Sequence, residues 1–259
     1  MTTTVTSVLS YDEQLAELIN RSRGQTKREG YDCPDCLNRE FVVRVEQGKR
    51  KTVSCQCVTI RNNIARLRKR GLLEMSDWCT FERFTTEQPW QKQMKTAVEG
   101  YLSAGGSDWL FLAGQSGSGK THLCTAAATQ MILAGKDVQV FRWVEWAAKA
   151  KSLIGDPFAY RSAVQPLKEC DVLFLDDFLK TPGGARPTQG DLRLAFEVLD
   201  ARYQEPEKAV ILCSEFSPEQ IIGFDEALGG RIAERSARWS ITVQNQECRN
   251  QRLQRPRGA

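Results

Sequence analysis

Eight residues, Gly114-Gln115-Ser116-Gly117-Ser118-Gly119-Lys120-Thr121, match G-x4-G-K-[ST] and restrict the fold of this 259-residue chain more than any other feature. A loop of this kind works between a buried strand and a helix, because its backbone N–H groups and the helix N-terminus together hold phosphate oxygens. Both flanks have the required character. Trp109-Leu110-Phe111-Leu112-Ala113 reads as a buried strand, and the Ala-rich stretch from Leu123 to Leu133 reads as a helix ending at Ala134-Gly135. Lys120 is expected to reach the β and γ oxygens of a nucleotide and the Thr121 hydroxyl to ligate Mg²⁺; His122 completes the segment assigned to cofactor binding.

A Mg²⁺-nucleotide site needs a carboxylate at the end of a neighbouring strand. Asp171-Val172-Leu173-Phe174-Leu175-Asp176-Asp177 supplies one about 55 residues further on. Asp176 is read as the metal ligand, directly or through water, and Asp177 as the group that polarises the attacking water. Aspartate is one methylene shorter than the glutamate usual at that second position, so slow hydrolysis is expected. Three further strands follow with α/β spacing: Val138–Phe141, Ala209–Ser214 and Ser240–Val243. Ser214 closes the second of these, where a hydroxyl would sense the γ-phosphate. Five strands alternating with helices predict an α/β domain with a mostly parallel five-stranded sheet, helices on both faces and the ligand at the carboxyl ends of the strands.

The N-terminal third reads differently. Residues 1–75 hold 14 Lys/Arg against 9 Asp/Glu, whereas the rest of the chain is close to neutral. Arg61, Arg66, Arg68, Lys69 and Arg70 follow one another without an acid, and Arg249, Arg252, Arg255 and Arg257 form a second cluster; both suit a polyanion or a solvated surface. Cys33, Cys36, Cys55 and Cys57 are spaced C-x2-C, 18 residues, C-x-C, with an alternating apolar–polar segment about Gln47-Gly48 between the pairs. A hairpin there would return the second pair to the first, as a tetrahedral four-thiolate zinc site requires; such a site is closed and structural. Iron or an empty site stays open. Cys79, Cys124, Cys170, Cys213 and Cys248 read as small buried hydrophobes. A single histidine leaves no Cys2His2 finger and no support for a Ser-His-Asp arrangement. Apolar runs far short of about 20 residues and the lack of a secretory pattern predict a cytoplasmic protein without a membrane partner. The chain divides into a module over 1–75, an ATPase-like domain over 76–246 and a basic tail over 247–259.

Arg231 and Arg235, four apart in Leu228-Gly229-Gly230-Arg231-Ile232-Ala233-Glu234-Arg235, share one helix face. They are either salt-bridged surface groups or arginines that reach the γ-phosphate of a neighbouring subunit. Trp143, Trp146, Lys149, Lys151, Tyr160, Arg161 and Lys168 mix aromatics with bases, the combination that single-stranded DNA sites use, although packing explains the tryptophans equally well.

Taken together, GQSGSGKTH (114–122), VLFLDDF (172–178), ILCSE (211–215) and EALGGRIAER (226–235) resemble the helicase-loader branch of the AAA+ ATPases, the DnaC/DnaI-like proteins of bacteria and their phages, with the IstB transposition ATPases as close relatives. The resemblance covers about residues 80–243, and the cysteine module with its basic helix is similar to that of DnaI-type loaders. It implies ATP with Mg²⁺ as cofactor, Lys120 and Thr121 as Walker A, Asp176 and Asp177 as Walker B, Ser214 as sensor 1, and Arg235 as an arginine finger acting in trans beside Arg231. The implied role is to place a replicative helicase on single-stranded DNA; whether the 61–70 helix binds helicase or DNA stays open. An IstB-type transposition regulator on duplex DNA and a nucleotide-gated adaptor with little hydrolysis are the alternatives. Only 16 residues follow Val243, too few for a full AAA+ lid with its sensor-2 arginine, as suits the loader branch.

Overall fold

A computed structural model describes residues 9–25, 28–69, 73–243 and 250. Arg70, Cys248 and the cluster Arg249, Arg252, Arg255 and Arg257 lie outside the described residues. The chain forms two compact units, residues 1–65 and 66–259.

The first unit is built on a hairpin. Strands β1 (Phe41–Glu46) and β2 (Lys49–Ser54) pair antiparallel from Phe41↔Ser54 to Glu46↔Lys49. The turn between them is Gln47-Gly48, both at positive φ (53° and 73°), the conformation that matches the twist of the flanking strands. Helix α1 (Tyr11–Arg21) starts at a capping box in which Ser10 and Glu13 bond each other's backbone N–H groups, and it packs on β1. Asn20 fastens it there, donating from its side-chain amide to the Val43 carbonyl and accepting from the Val43 N–H. Helix α2 (Cys57–Lys69) begins at the last of the four cysteines.

In the second unit, β3 (Trp109–Gly114), β4 (Val138–Arg142), β5 (Val172–Phe178), β6 (Ala209–Ser214) and β7 (Ser240–Val243) form one sheet in the order β4-β5-β6-β3-β7, every neighbour parallel. The expected five strands are all present. Ten-residue or longer stretches with helical periodicity become α4 (Pro89–Ser103), α5 (Lys120–Leu133), α6 (Trp143–Ser152), α7 (Pro157–Glu169), α8 (Gln189–Tyr203) and α10 (Glu226–Ser236), with the short α3 (Leu73–Trp78) and α9 (Pro218–Phe224) between them. Pairing in a parallel sheet covered on both faces explains why β3, β5 and β6 are apolar almost throughout instead of alternating. One face carries Trp109, Phe111, Leu173, Leu175, Val210 and Leu212 into a core shared with α6 to α10. Residues alternate with these along the strands, such as Leu110, Leu112, Phe174 and Ile211, and are equally buried on the other face, where α5 lies across the sheet.

Arg202 holds this architecture at the opposite end from the glycine loop. Its guanidinium is fully buried and donates to the carbonyls of Leu167, Cys170, Asp171 and Ala209, at 2.9, 2.9, 3.1 and 2.6 Å. It thereby ties the end of α7 to the starts of β5 and β6. No helix among the described residues is long and apolar enough to cross a membrane.

Candidate nucleotide-binding site

The glycine loop leaves the end of β3 and enters α5. Gly114 has φ 106°, and a Cβ there would overlap the Val243 carbonyl of the adjacent strand, so glycine is the residue that fits. Gly117 (φ 75°) and Gly119 (φ 90°) complete the loop, and Gly119 caps α5 without a side chain. The N–H groups of the first turn of α5 are therefore left to an outside acceptor, and a phosphate is the acceptor such a terminus favours. Lys120 is buried with its ammonium in the concavity of the loop, donating to the Gly114 and Gln115 carbonyls at 2.8 Å each. The Ser118 hydroxyl donates to the Gln115 carbonyl at 2.8 Å. Residues 114–121 thus form one cradle.

The sheet order places β6 between the loop strand and β5, yet the two sets of residues meet. Thr121 Oγ1 donates to Asp176 Oδ1 at 2.9 Å, with Cys213 Sγ from β6 packed 3.6 Å from the same hydroxyl. Octahedral Mg²⁺ holds its oxygens at about 2.1 Å, which puts neighbouring ligands about 3 Å apart, so this oxygen pair fits two adjacent Mg²⁺ positions. Asp176 is buried, and burial pushes its carboxyl above the usual carboxylate range, reinforced by the charge of Asp177 and opposed by the Thr121 hydroxyl. A dication at this point would reverse that cost.

Asp177 sits in a bulge. Leu175 pairs with Leu212 and Phe178 with Ser214, so β5 carries one residue more than β6 over this step, and Asp177 takes φ 52°. Its carboxylate is not alone. Lys180 donates to Asp177 Oδ1 at 3.3 Å and to Glu215 Oε1 at 3.0 Å. Neither Lys180 nor Glu215 is among the residues read from the sequence, although Glu215 directly follows the strand-ending serine and Lys180 lies one turn beyond Asp177. Ser214 itself is turned inward: its hydroxyl donates to the Phe178 carbonyl at 2.8 Å and accepts from the Phe216 N–H at 3.1 Å. Its hydroxyl is committed to closing the strand end.

The segment before α4 covers the loop from the other side. His122 Nε2 lies 2.7 Å from the Thr80 carbonyl, and its ring meets Phe84 edge-on at 5.4 Å between centroids. A Cβ on Gly119 would come within 2.6 Å of the same Phe84 ring. His122 therefore holds residues 80–84 against the loop. Finding Phe84 from sequence would have needed the knowledge that this segment folds back over residues spaced some 35 positions later.

Arg231 and Arg235 both face α8. Arg231 Nε donates to Asp200 Oδ1 at 2.7 Å, and its guanidinium stacks over Phe196 (4.8 Å) and Tyr203 (5.3 Å). Arg235 donates to the Tyr203 and Pro206 carbonyls at 3.4 and 3.0 Å and lies 5.6 Å over the Trp109 ring. Trp109 opens the strand that Gly114 closes, and five steps of about 3.3 Å separate the two ends by roughly 16 Å. Arg235 is thus at the opposite end of β3 from its own chain's loop.

The aromatic–basic set expected to contact DNA requires correction. Trp143 and Trp146 are buried in the core with Phe141 and Phe178, because α6 turns this face onto the sheet. Lys151 pairs with Asp191 at 2.7 Å, and Tyr160 and Lys168 both bond Glu197, at 2.5 and 2.7 Å. Lys149 and Arg161 remain exposed. What the sequence reading missed lies at the start of α7 and in the turn before it, where Phe158 is 84% and Ile154 68% exposed. Phe158 and Arg161 are three apart in α7 and share one face.

In the first unit, the four cysteines converge. Their Sγ atoms all lie within 4.8 Å of one another, with Cys33–Cys55 at 3.7 Å and Cys36–Cys57 at 3.5 Å, and all four are buried. Tetrahedral zinc with Zn–S near 2.3 Å needs sulfurs about 3.8 Å apart, so the donor set fits that ion. Arg61 departs from the exposed basic cluster expected for it. It is buried against the cysteine knuckle, donating to Glu40 Oε1 (3.0 Å), the Tyr31 carbonyl (3.0 Å) and Asn38 Oδ1 (2.8 Å). The same Asn38 oxygen accepts the Cys33 N–H at 2.9 Å.

A parallel five-stranded sheet whose glycine loop meets a strand-ending Asp-Asp pair defines an AAA+ P-loop ATPase domain. The profile of the family described as "IstB-like ATP binding protein" matches residues 12–252, and this chain belongs to that family. The Phage-like element PBSX protein XkdC of Bacillus subtilis (strain 168) is 28% identical over 249 residues, covering 89% of this chain and 92% of XkdC. Among solved structures, AMPPCP-bound DnaA from Aquifex aeolicus superposes with a TM-score of 0.52 at 24% identity, over 64% of this chain and 49% of DnaA. DnaI superposes with a TM-score of 0.50 at 17% identity, over 69% and 93%. The chain therefore spans about half of the DnaA it matches, and both superpositions speak to the fold.

Proposed function

We propose that this ATPase loads a replicative helicase onto single-stranded DNA in the cytoplasm. In this reading the glycine loop with Lys120 binds the ATP phosphates, and Thr121 and Asp176 would hold Mg²⁺, which would supply charge neutralisation to those phosphates. Asp177 orients the attacking water. Arg235, remote from its own loop, serves the nucleotide of a neighbouring subunit, with Arg231 and its Asp200 contact fixing the helix that carries it. The thiol cluster holds zinc and folds the N-terminal module, residues 1–75, which contacts the helicase. Ser214 acts through the strand end it closes.

One observation carries the choice of single-stranded DNA: Phe158, 84% exposed in the first turn of α7, four residues after the exposed Ile154 and with Arg161 on its own helix face. An aromatic ring stacks on a base only where that base has an open face, and a duplex buries its base faces internally. Stacking contributes about 1–3 kcal/mol per base, with guanidinium–phosphate contacts added to it.

The test is ATP turnover with single-stranded DNA, with duplex and with neither, for the wild type and for Phe158→Ala. Stimulation by single strands that Phe158→Ala weakens is the expected result. Stimulation by duplex alone overturns this reading in favour of a transposition regulator of the IstB type, the relationship after which the family is described. ATP binding without turnover in every condition makes the protein a nucleotide-gated adaptor, the reading favoured by the Lys180 contact on Asp177.

A further inference from the structure

Beside Asp177 lie two groups with no assigned part in ATP turnover, Lys180 and Glu215, and any part they take rests on the reading of Asp177 as the residue that orients the attacking water. The ammonium of Lys180 is shared between a carboxylate on β5 and one just past the end of β6, 3.3 Å from Asp177 Oδ1 and 3.0 Å from Glu215 Oε1. The backbone brings the three groups together. The bulge after Leu175 sets Asp177 at φ 52°, and the Lys180 N–H donates to the Asp177 carbonyl at 3.0 Å, a turn that brings the lysine back over the aspartate. At the end of β6 the Ser214 hydroxyl points inward, which leaves Glu215 as the next polar side chain along the chain toward Asp177. All three side chains are about one-third exposed, at 31% for Asp177 and 34% for Lys180 and Glu215. The contact is thus sheltered enough to hold and solvated enough to exchange.

A carboxylate oxygen that already accepts an ammonium N–H is a poorer acceptor for a proton of water, and its rotamer is pinned. We infer that Lys180 is a positioning residue that restrains the Asp177 carboxylate, and that Glu215 competes for the same ammonium, so that the partition of Lys180 between the two sets the rate of ATP turnover. The arrangement gives the chain a cationic restraint on hydrolysis. Anything that draws Lys180 fully onto Glu215 releases Asp177.

Two substitutions move this partition in opposite directions. Lys180→Met keeps the length of the side chain and removes the ammonium; kcat rises about three- to fivefold with KM for ATP unchanged, the size set by a partly exposed ion pair. Glu215→Gln removes the competing charge and leaves Lys180 on Asp177, and kcat falls. The double variant Lys180→Met/Glu215→Gln matches Lys180→Met alone, because without the ammonium there is nothing to partition. Lys180→Arg returns kcat toward the wild-type value. A merely structural role predicts instead that both single variants lower kcat or raise KM, and that their effects add.

Steady-state turnover of the full-length protein, with ATP affinity measured separately by equilibrium binding, decides between them. A kcat for Lys180→Met at or below wild type with ATP affinity intact overturns the inference, as does a rise in kcat for Glu215→Gln. If Lys180→Met loses ATP binding, the sign of the Glu215→Gln effect carries the test alone. Asp177→Asn separates the two levels: turnover retained in that variant refutes the role of Asp177 itself, whatever Lys180→Met does.

Discussion

Two regions of this chain reach a fixed structure by opposite routes. Between Trp109 and Ser214, three strands are buried almost end to end and covered on both faces, so the order comes from apolar area removed from water. Among described residues 9–65, the buried apolar side chains are Ala16, Val43 and Ile60 beside the four cysteines, while β2 is exposed over most of its length. A unit this small buries a smaller share of its surface than a large domain does, which makes its apolar contacts marginal. Converging thiols and the Arg61–Asn38–Glu40 network stand where a core would be. The lesson is that polar groups in the smaller unit take part in specifying its fold, whereas in the larger one a fold made by apolar groups leaves Lys120, Asp176 and Asp177 to line the site.

The largest effect that sharpens this contrast is metal removal. Apparent zinc affinities in small thiolate modules amount to about 10–16 kcal/mol of folding free energy. Chelation of the full-length protein is expected to release one metal ion and to strip amide-exchange protection from residues 31–61, while strands β3, β5 and β6 keep theirs. A hairpin still protected after the metal has gone would mean that the thiol cluster is a consequence of the fold instead of its cause. The converse break is made in the sheet. Phe174→Ala, at a side chain 1% exposed between β4 and β6, is expected to cost about 3–5 kcal/mol of unfolding free energy, read from the urea midpoint, with metal content unchanged.

How far each region was legible in the sequence depends on the same difference. Strands β3, β5 and β6 were visible as apolar runs and β4 and β7 as short stretches rich in β-branched residues, and the glycine loop and Asp-Asp pair marked the candidate site, because all of these depend on local pattern. The hairpin was legible through its alternation and through Gln47-Gly48. Reading failed where a side chain's role is set by groups distant in sequence. Trp143 and Trp146 carry no local mark separating a core face from a stacking face; α6 packing decides it. Arg61 belongs to a basic run in sequence but is drawn into the knuckle by acceptors 21 to 30 residues earlier. Ser214 and Glu215 are adjacent, and only the turn of the strand end determines which of them faces Asp177.

The smallest effect tests whether charge contributes as little to the larger unit as its apolar core implies. Asp191 opens α8 in a capping box with Thr188, whose N–H and hydroxyl donate to its carboxylate at 3.0 and 2.5 Å, and Lys151 donates to the other oxygen at 2.7 Å. Burial alone would raise the Asp191 carboxyl; the bonds from Lys151 and Thr188 outweigh it and hold it below the usual range. A carboxyl depressed by folding contributes stability above its unfolded pKa of about 3.9 and loses it as pH falls through the folded value. Lys151→Met removes the cation and keeps the stem, so it is expected to cost about 1 kcal/mol near pH 7. That cost should shrink as pH falls through the depressed folded value, where Asp191 gains a proton and no longer needs the cation. Urea unfolding of both proteins from about pH 7 down through the acid range measures it. A cost that stays constant with pH would leave the Lys151–Asp191 ion pair without weight.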